Sequence, residues 1–472
     1  MKRILVRAGF NPADDISVCD VVSKNLIRGN SGNMIFANSV MRALMVDDDV
    51  EIGVDYCRMS NLDAEWINEK YDCYVIPLAD IFRLNGNVEL ERLTRLVKAL
   101  KIPCIIVGAG VRAETYELMK TKREFDPYVK KLCDAVLEKS AIIGIRGELT
   151  GEYLTRFGYK EGKEFTVIGC PSMYTFGELK PFEKPVINSD SRISVNNSIL
   201  SSPSTIEFLN GVLSDYKNSF FLPQRYEEMK AFYLGIDYIH RFDNKPEYPH
   251  KVNEGVYAEN RVKMFASPND WIDFLKTVDL SVGSRLHGNV TSIIAGTPSL
   301  FIPHGVRMRE LIDYHKLPTV SGEEVAKTKN LEELIEKADF KSLFDVHHKN
   351  FEHYKEFLKT NGLETVFDRT YDGDVPYDKL LKKLDNKEIP SIVTLDKEAT
   401  IERWAEYNQS KTDFKNQYLN RYVEEFRALN RTSFSSDIKD LILRILDKLK
   451  GIDRSNLERR GLNTHNEDFY KL

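Results

Sequence analysis

In the stretch Ser281–Val290, SVGSRLHGNV, a guanidinium and an imidazole stand two positions apart, Arg285 and His287, between Gly283 and Gly288. Arginine presents a planar, permanently charged fork of donors that matches a carboxylate or a phosphate. Imidazole is the side chain best suited to proton transfer near neutral pH. Together they point to an anionic substrate undergoing acid–base chemistry. The bland alternative is a structural arginine bonding carbonyls beside a core histidine. The setting favours function: an apolar run, Val278 to Val282, ends at Gly283, and a helical pattern begins near His287. The first amides of a helix attract anions, and glycine lets a ligand or a neighbouring chain approach closely.

The elements that must hold this corner can be read from the alternation of apolar patterns. Arg3–Arg7, Cys73–Pro77, Cys104–Gly108, Ile142–Ile145 and Phe165–Ile168 read as strands, with helices over Glu89–Ala99 and Glu148–Phe157. The segment Phe176–Arg192, with two prolines and a polar run, reads as a linker. The alternation then restarts with strands at Ile193–Val195, Ser219–Leu222, Asp279–Val282 and Ser299–Pro303, and helices at Thr205–Leu213 and Asn269–Thr277. Alternation of this kind predicts parallel sheets covered on both faces by helices. The expected architecture is α/β: a doubly wound domain over 1–185, a second over 190–326 carrying the RLHG corner, and a helical appendage over 327–472. Two such domains place an active site in the cleft between the carboxyl ends of their strands. Helical periodicity after Lys327 implies that part of this region packs back on the first domain. Within it, Ile438–Leu449 is amphipathic and reads as a packed helix, or as a membrane-surface contact. His347, His348 and His353 read as a solvated face.

Composition narrows the function classes. The chain has 472 residues, 42% hydrophobic and 29% charged, with a net charge of −5. That is an ordinary globular balance, and it argues against a general nucleic-acid binder, which would be strongly basic. The six cysteines are scattered and form no C-x-x-C pair, so reduced, mostly buried thiols are expected. The run after Met1-Lys2-Arg3 is too short for an export signal, and no stretch approaches the roughly 18 apolar residues of a membrane span. A cytosolic enzyme is the expected class. VGAGVR, Val107–Arg112, lacks the third glycine of a dinucleotide fingerprint. Neither a phosphate-binding G-x-x-x-x-G-K-[ST] loop nor an H-E-x-x-H metal motif is present.

GSRLHGN resembles the signature of the polysaccharide pyruvyl transferase family, and further pieces follow in the same order. GNSGN (Gly29–Asn33), VGAGVR, IGIRGELTGEYLTRFG (Ile143–Gly158), VIGCPS (Val167–Ser172) and VRMREL (Val306–Leu311) are each similar to a family segment. The resemblance spans Gly29 to Leu311, and the chain after Lys327 matches nothing. It implies two facing Rossmann-like halves of GT-B type. It also implies transfer of the pyruvyl group of phosphoenolpyruvate to sugar hydroxyls as a ketal, with no metal or other cofactor. By position, Arg146 and Arg285 match the arginines expected to bind phosphoenolpyruvate, and His287 matches the acid–base histidine. Arg307 falls where members carry a basic residue.

Each assignment has a structural counterpart. Arg146 could pair with Glu148 or Glu152, and Arg307 with Glu310. Asn30, Gly32 and Asn33 form a turn and helix cap, or face the cleft. Gln224 makes a loop hydrogen bond, or contacts the acceptor or a nucleotide moiety. The resemblance implies a lipid-linked or nucleotide-linked glycan acceptor for exopolysaccharide, capsule or cell-wall synthesis, used in the cytoplasm or at the cytoplasmic face of the membrane. The competing readings are a glycosyltransferase using a sugar nucleotide and a non-catalytic member of an assembly complex. Retention of Arg146, Arg285 and His287 together argues against the last.

Overall fold

The strands of the two larger sheets are short, mostly buried and parallel to their neighbours throughout. The computed structural model describes residues 1–84, 86–112, 121–236, 247–328, 330–385 and 387–429, with side chains to residue 417. In the first half, β1 (Lys2–Val6), β2 (Val50–Val54), β3 (Cys73–Pro77) and β4 (Cys104–Val107) lie in the order β2-β1-β3-β4. A further parallel pair, β5 (Ile143–Ile145) and β6 (Phe165–Val167), joins through a bridge between Ala109 and Ile145. In the second half, β7 (Ile193–Asn196), β8 (Ser219–Phe221), β9 (Leu280–Gly283) and β10 (Ser299–Phe301) lie in the order β10-β9-β7-β8. Read from its own first strand, each half therefore has the same order, second-first-third-fourth. Each is a doubly wound, Rossmann-like unit, and together they form the expected GT-B-like arrangement.

The pleat sends alternate residues to opposite faces, and both faces are buried. Ile4, Val6, Val75, Ile105 and Val107 join one core, while Leu5, Tyr74, Ile76, Cys104 and Ile106 join another. The second core is closed by helices Asn87–Ala99 and Asp126–Leu137, through Leu90, Leu93, Val129 and Leu132. The first is closed by helix Gly32–Leu44 and, from far along the chain, by helix Ser342–Thr360, which contributes Leu343, Phe351, Tyr354, Phe357 and Leu358. Asn361 adds a polar tie: its Oδ1 accepts from the amides of Ala141 and Ile142, and its Nδ2 donates to the Ile142 carbonyl.

These contacts change how the chain divides. Residues after Lys327 differ in composition, yet Met1–Ala405 is one compact unit and Glu406–Leu472 a second. Apolar residues at helical spacing on Ser342–Thr360 bury against the first sheet, so the segment 331–381 is part of the body, not an appendage to it. The expectation that part of this region packs on the first domain agrees with the structure. A helix occupies Lys397–Leu429, and the amphipathic run 438–449 lies outside the described residues. Of the three histidines read as solvated, His348 and His353 are exposed, and His348 pairs with Glu178. His347 alone is buried, on the inward side of the helix with Nε2 bonded to the Gly177 carbonyl, while His353 stays exposed and bonds Thr166 at the rim. All six cysteines are free. Among the described residues no helix is long and apolar enough to cross a membrane.

Candidate active site at the strand ends

In a parallel sheet the carboxyl ends of all strands share one edge, and that edge is where ligands bind in doubly wound folds. Arg146 directly follows β5, Arg285 lies two residues beyond β9, and Gln224 three beyond β8. Two residues that sequence reasoning missed follow the same rule: Asp80 lies three past β3, and His304 three past β10. The signal that could have found them is a polar side chain immediately after an apolar strand, as in PLAD and FIPH.

The RLHG corner is built from the second half outward. Asn196, at the end of β7, anchors it. Its Nδ2 donates to Asn289 Oδ1 at 2.7 Å, and its Oδ1 accepts the Arg285 amide at 2.8 Å. Gly283 is required here, because a Cβ would sit 1.7 Å from the Asn196 carbonyl oxygen. Helix Leu286–Ala295 then starts with His287 in its first turn. Arg285 Nε donates to the Asn197 carbonyl at 2.8 Å, and one terminal nitrogen stands 3.9 Å from buried Glu228 while finding no hydrogen-bond partner.

His287 reaches across to the first half. It packs on Gly32 so tightly that a Cβ there would lie 2.5 Å from Nδ1, and its Nε2 is 3.8 Å from Cys170 Sγ. Asn30 supports this contact from two sides. Its backbone bridges to Arg225 of the second half, and its Oδ1 accepts the Gly32 amide. Asn33 does not join the site: its amide donates to the carbonyls of Ile27 and Arg28, which makes it a turn-holding residue.

Arg146 is the most unusual side chain in the cluster. It is fully buried, and among the described residues none of its three guanidinium nitrogens has a hydrogen-bond partner. The alternative pairing with Glu148 or Glu152 is absent among the described residues, since both carboxylates are exposed on the following helix. Its guanidinium lies 5.8 Å from the centre of the Phe36 ring. Burial, and then the neighbouring Arg307 charge, pull its pKa down to about 10. Arg307 does not pair with Glu310 either. It donates to Asp80 at 2.8 Å across the halves, while Glu310 accepts the Thr150 amide at 2.7 Å. Burial alone would raise the Asp80 carboxyl, but Arg307, Arg83, Arg146 and Arg112 together hold it well below the carboxylate range. One carboxylate thus stands among four guanidiniums, and the local potential is strongly positive.

That potential keeps the histidines neutral. His287 is depressed to about 3, first by burial and then by Arg307 and Arg146. His304 is depressed to about 4 by burial, with Arg285, Arg307 and Arg112 adding to it. An acid–base histidine that donates a proton must first carry one, yet the free site holds an uncharged ring, first because it is buried and then because the cations around it repel a proton. Arg146 and Arg285 belong to one cluster, linked through Arg307 and His304. The described residues also bring Glu178, His348 and Glu352 within 4.8 Å of one another, an exposed trio away from the strand ends that is spaced to hold a metal ion.

The polysaccharide pyruvyl transferase family model matches residues 30–305, from the Asn30 turn through the RLHG corner to the residue before helix Val306–His315. The chain belongs to this family. As a polysaccharide pyruvyl transferase family member it is a transferase, and the family match ends two residues before Arg307. No curated protein matches the chain. Among solved structures it is similar, at 12% identity, to a putative UDP-N-acetylglucosamine 2-epimerase from Listeria monocytogenes, covering 79% of this chain and 98% of that one with a TM-score of 0.42. It is also similar, at 11% identity, to the Neisseria meningitidis UDP-GlcNAc 2-epimerase bound to UDP-GlcNAc, over 76% and 100% of the two chains with a TM-score of 0.41. A glycosyltransferase from Streptomyces nogalater matches at 12% identity over 77% and 99%, with a TM-score of 0.30.

Proposed function

We propose that this pyruvyl transferase family member moves the pyruvyl group of phosphoenolpyruvate onto two hydroxyls of a sugar, closing a cyclic ketal and releasing phosphate. The observation that carries this reading is Arg146: a fully buried guanidinium with no hydrogen-bond partner on any nitrogen among the described residues. A buried unpaired charge costs several kcal/mol, so such a group is kept for an anion that arrives from outside. Phosphoenolpyruvate brings a carboxylate and a phosphate, and Arg146, Arg307 and Arg285 are three cations to receive them.

His287 is the proton donor in this reading. The charge of the bound donor substrate offsets Arg146 and Arg307, which removes part of what holds the ring neutral. The imidazole then takes up a proton and passes it to the methylene carbon. The resulting oxocarbenium-like centre is attacked by one sugar hydroxyl, phosphate leaves, and a second hydroxyl closes the ketal. One proton enters at carbon and two leave from the hydroxyls, one of them departing with the phosphate. A well-placed acid contributes ~10²–10⁴-fold in rate. No resident metal or other cofactor enters these steps. The acceptor is a lipid-linked or nucleotide-linked glycan, met in the cytoplasm or at the cytoplasmic face of the membrane.

The test is incubation with phosphoenolpyruvate and a panel of glycan acceptors, following phosphate release and the mass of the products. Phosphate release with a pyruvyl gain in mass supports the reading. Nucleotide release from sugar nucleotides, with phosphoenolpyruvate ignored, would replace it with glycosyl transfer.

A further inference from the structure

Two sets of buried polar atoms without hydrogen-bond partners among the described residues lie along the strand ends, and their chemistry differs. One set is cationic: the three Arg146 nitrogens and Arg307 Nε. The other is mainly neutral and belongs to the second half: Gln224 Nε2, Asn197 Nδ2 and His304 Nε2, with one Arg285 nitrogen beside them. Gln224 is 2% exposed and Asn197 1%. Each therefore keeps an amide donor out of water without using it, at a cost of ~1–3 kcal/mol apiece. Native structures leave such donors open where a partner is supplied by a ligand.

The neutral set is held in one place by a shared frame. Buried Glu228 accepts the main-chain amides of Gln224 and Arg225 and the Tyr248 hydroxyl, and that hydroxyl also contacts the Asn197 carbonyl. The same carbonyl accepts Arg285 Nε. A Cβ at Gly288 would lie 2.5 Å from Gln224 Nε2, so the glycine of the RLHG corner leaves room for this amide over the helix start. Glu228 also sets the charge around these donors. Its carboxylate stands 3.9 Å from Arg285 and offsets that charge on this side, whereas Arg146 has no hydrogen-bonded carboxylate among the described residues and shares Asp80 with three other guanidiniums.

We infer that Gln224 and Asn197, together with His304, form the subsite for the neutral sugar ring of the acceptor, separate from the cationic subsite around Arg146. Sugar hydroxyl and ring oxygens accept the amide hydrogens, and sugar hydroxyls can donate to or accept from an uncharged imidazole. His304 is neutral at neutral pH, in keeping with that role. The arrangement places the hydroxyls next to Arg285 and His287, between donor and acceptor. The inference rests on the pyruvyl-transfer reading for the identity of the second substrate, but sugar binding can be measured without transfer.

The experiment uses the full chain and methyl glycosides of glucose, galactose, mannose and N-acetylmannosamine, read by saturation-transfer NMR without phosphoenolpyruvate. Phosphoenolpyruvate affinity is titrated separately by calorimetry. Gln224→Met keeps the length of the side chain and removes the donor, and Gln224→Glu keeps the shape and inverts its character. The expected result is that at least one glycoside binds the wild-type protein, that both variants weaken it about tenfold, and that phosphoenolpyruvate affinity stays within about twofold. Glycoside binding unchanged in both variants, or no glycoside bound at all, would overturn the subsite. Loss of phosphoenolpyruvate affinity in Gln224→Met would move Gln224 into the donor site. A wild-type protein that binds a glycoside through Gln224 but ignores phosphoenolpyruvate would leave the subsite standing and sink the pyruvyl reading instead.

Discussion

At the scale of single residues, the site is organised by charge that the protein leaves unanswered. Arg146→Met replaces a buried, unpaired guanidinium with an apolar chain of similar reach. Phosphoenolpyruvate binding should weaken by ~1.5–3 kcal/mol, the value of a charge-assisted bond, while Tm holds or rises because a buried charge is gone. A lower Tm with unchanged affinity would show the arginine to be structural. His287 gives a different signature. With its pKa near 3 in the free site, it is neutral at pH 7, and binding of an anion beside Arg146 and Arg307 should raise it. Calorimetry of phosphoenolpyruvate binding in buffers of different ionisation enthalpy should therefore show proton uptake that grows as the pH falls from 7 toward 5. In His287→Asn that uptake should vanish and turnover should fall at least ~100-fold, with affinity largely kept. Proton uptake of equal size in the variant would assign the proton to another group.

At the scale of elements, geometry depends on places where a side chain is missing. Helix Gly32–Leu44 begins with a glycine against which the His287 ring lies, with room for no Cβ. Alanine there is a better helix former by about 1 kcal/mol, so propensity alone would call Gly32→Ala stabilising. The contact argues otherwise: a methyl at 2.5 Å from Nδ1 must push the ring away. The expected outcome is a kcat loss of about tenfold or more, since ~1 Å misplacements at an active site cost up to 10²-fold, with the far-UV spectrum unchanged. Retained kcat would mean that the ring relaxes without leaving its productive position. The turn chemistry of Gly283 and the strand-to-helix corner were legible in the sequence. The reason for Gly32 was not, because its partner lies more than 250 residues away.

At the scale of the whole molecule, burial makes folding sensitive to acid. His287 and His315 sit near 3 and His304 near 4, all lowered first by desolvation from an ordinary value of 6.5. Each ring binds a proton more readily when unfolded, so stability is full above pH 6.5 and falls as pH drops from there toward 3. Each pH unit below the ordinary value costs up to ~1.4 kcal/mol per such ring. Tm should therefore decline steadily between pH 6.5 and 4, and a saturating anionic ligand should shift the decline by relieving His287. A Tm flat across that window would show that these rings are already protonated in the folded protein.

What the sequence determined by itself was local: apolar runs and turns that became strands within a residue or two of the expected bounds, two doubly wound halves, and the Arg285–His287 corner. These follow from periodicity and turn residues, which are short-range properties of a chain. Tertiary structure alone decided which charges remain unpaired. Arg146 has acidic neighbours in sequence at Glu148 and Glu152, yet its partners are absent because that helix turns them to solvent. Arg307 passes over nearby Glu310 and crosses to Asp80, and His287 loses its charge first to burial and then to two arginines from other elements. It also decided that residues read as an appendage are part of the body, since an amphipathic helix does not announce which face it will cover. Electrostatics and burial depend on distances through space, and those exist only once the parallel strands bring their carboxyl ends to one edge.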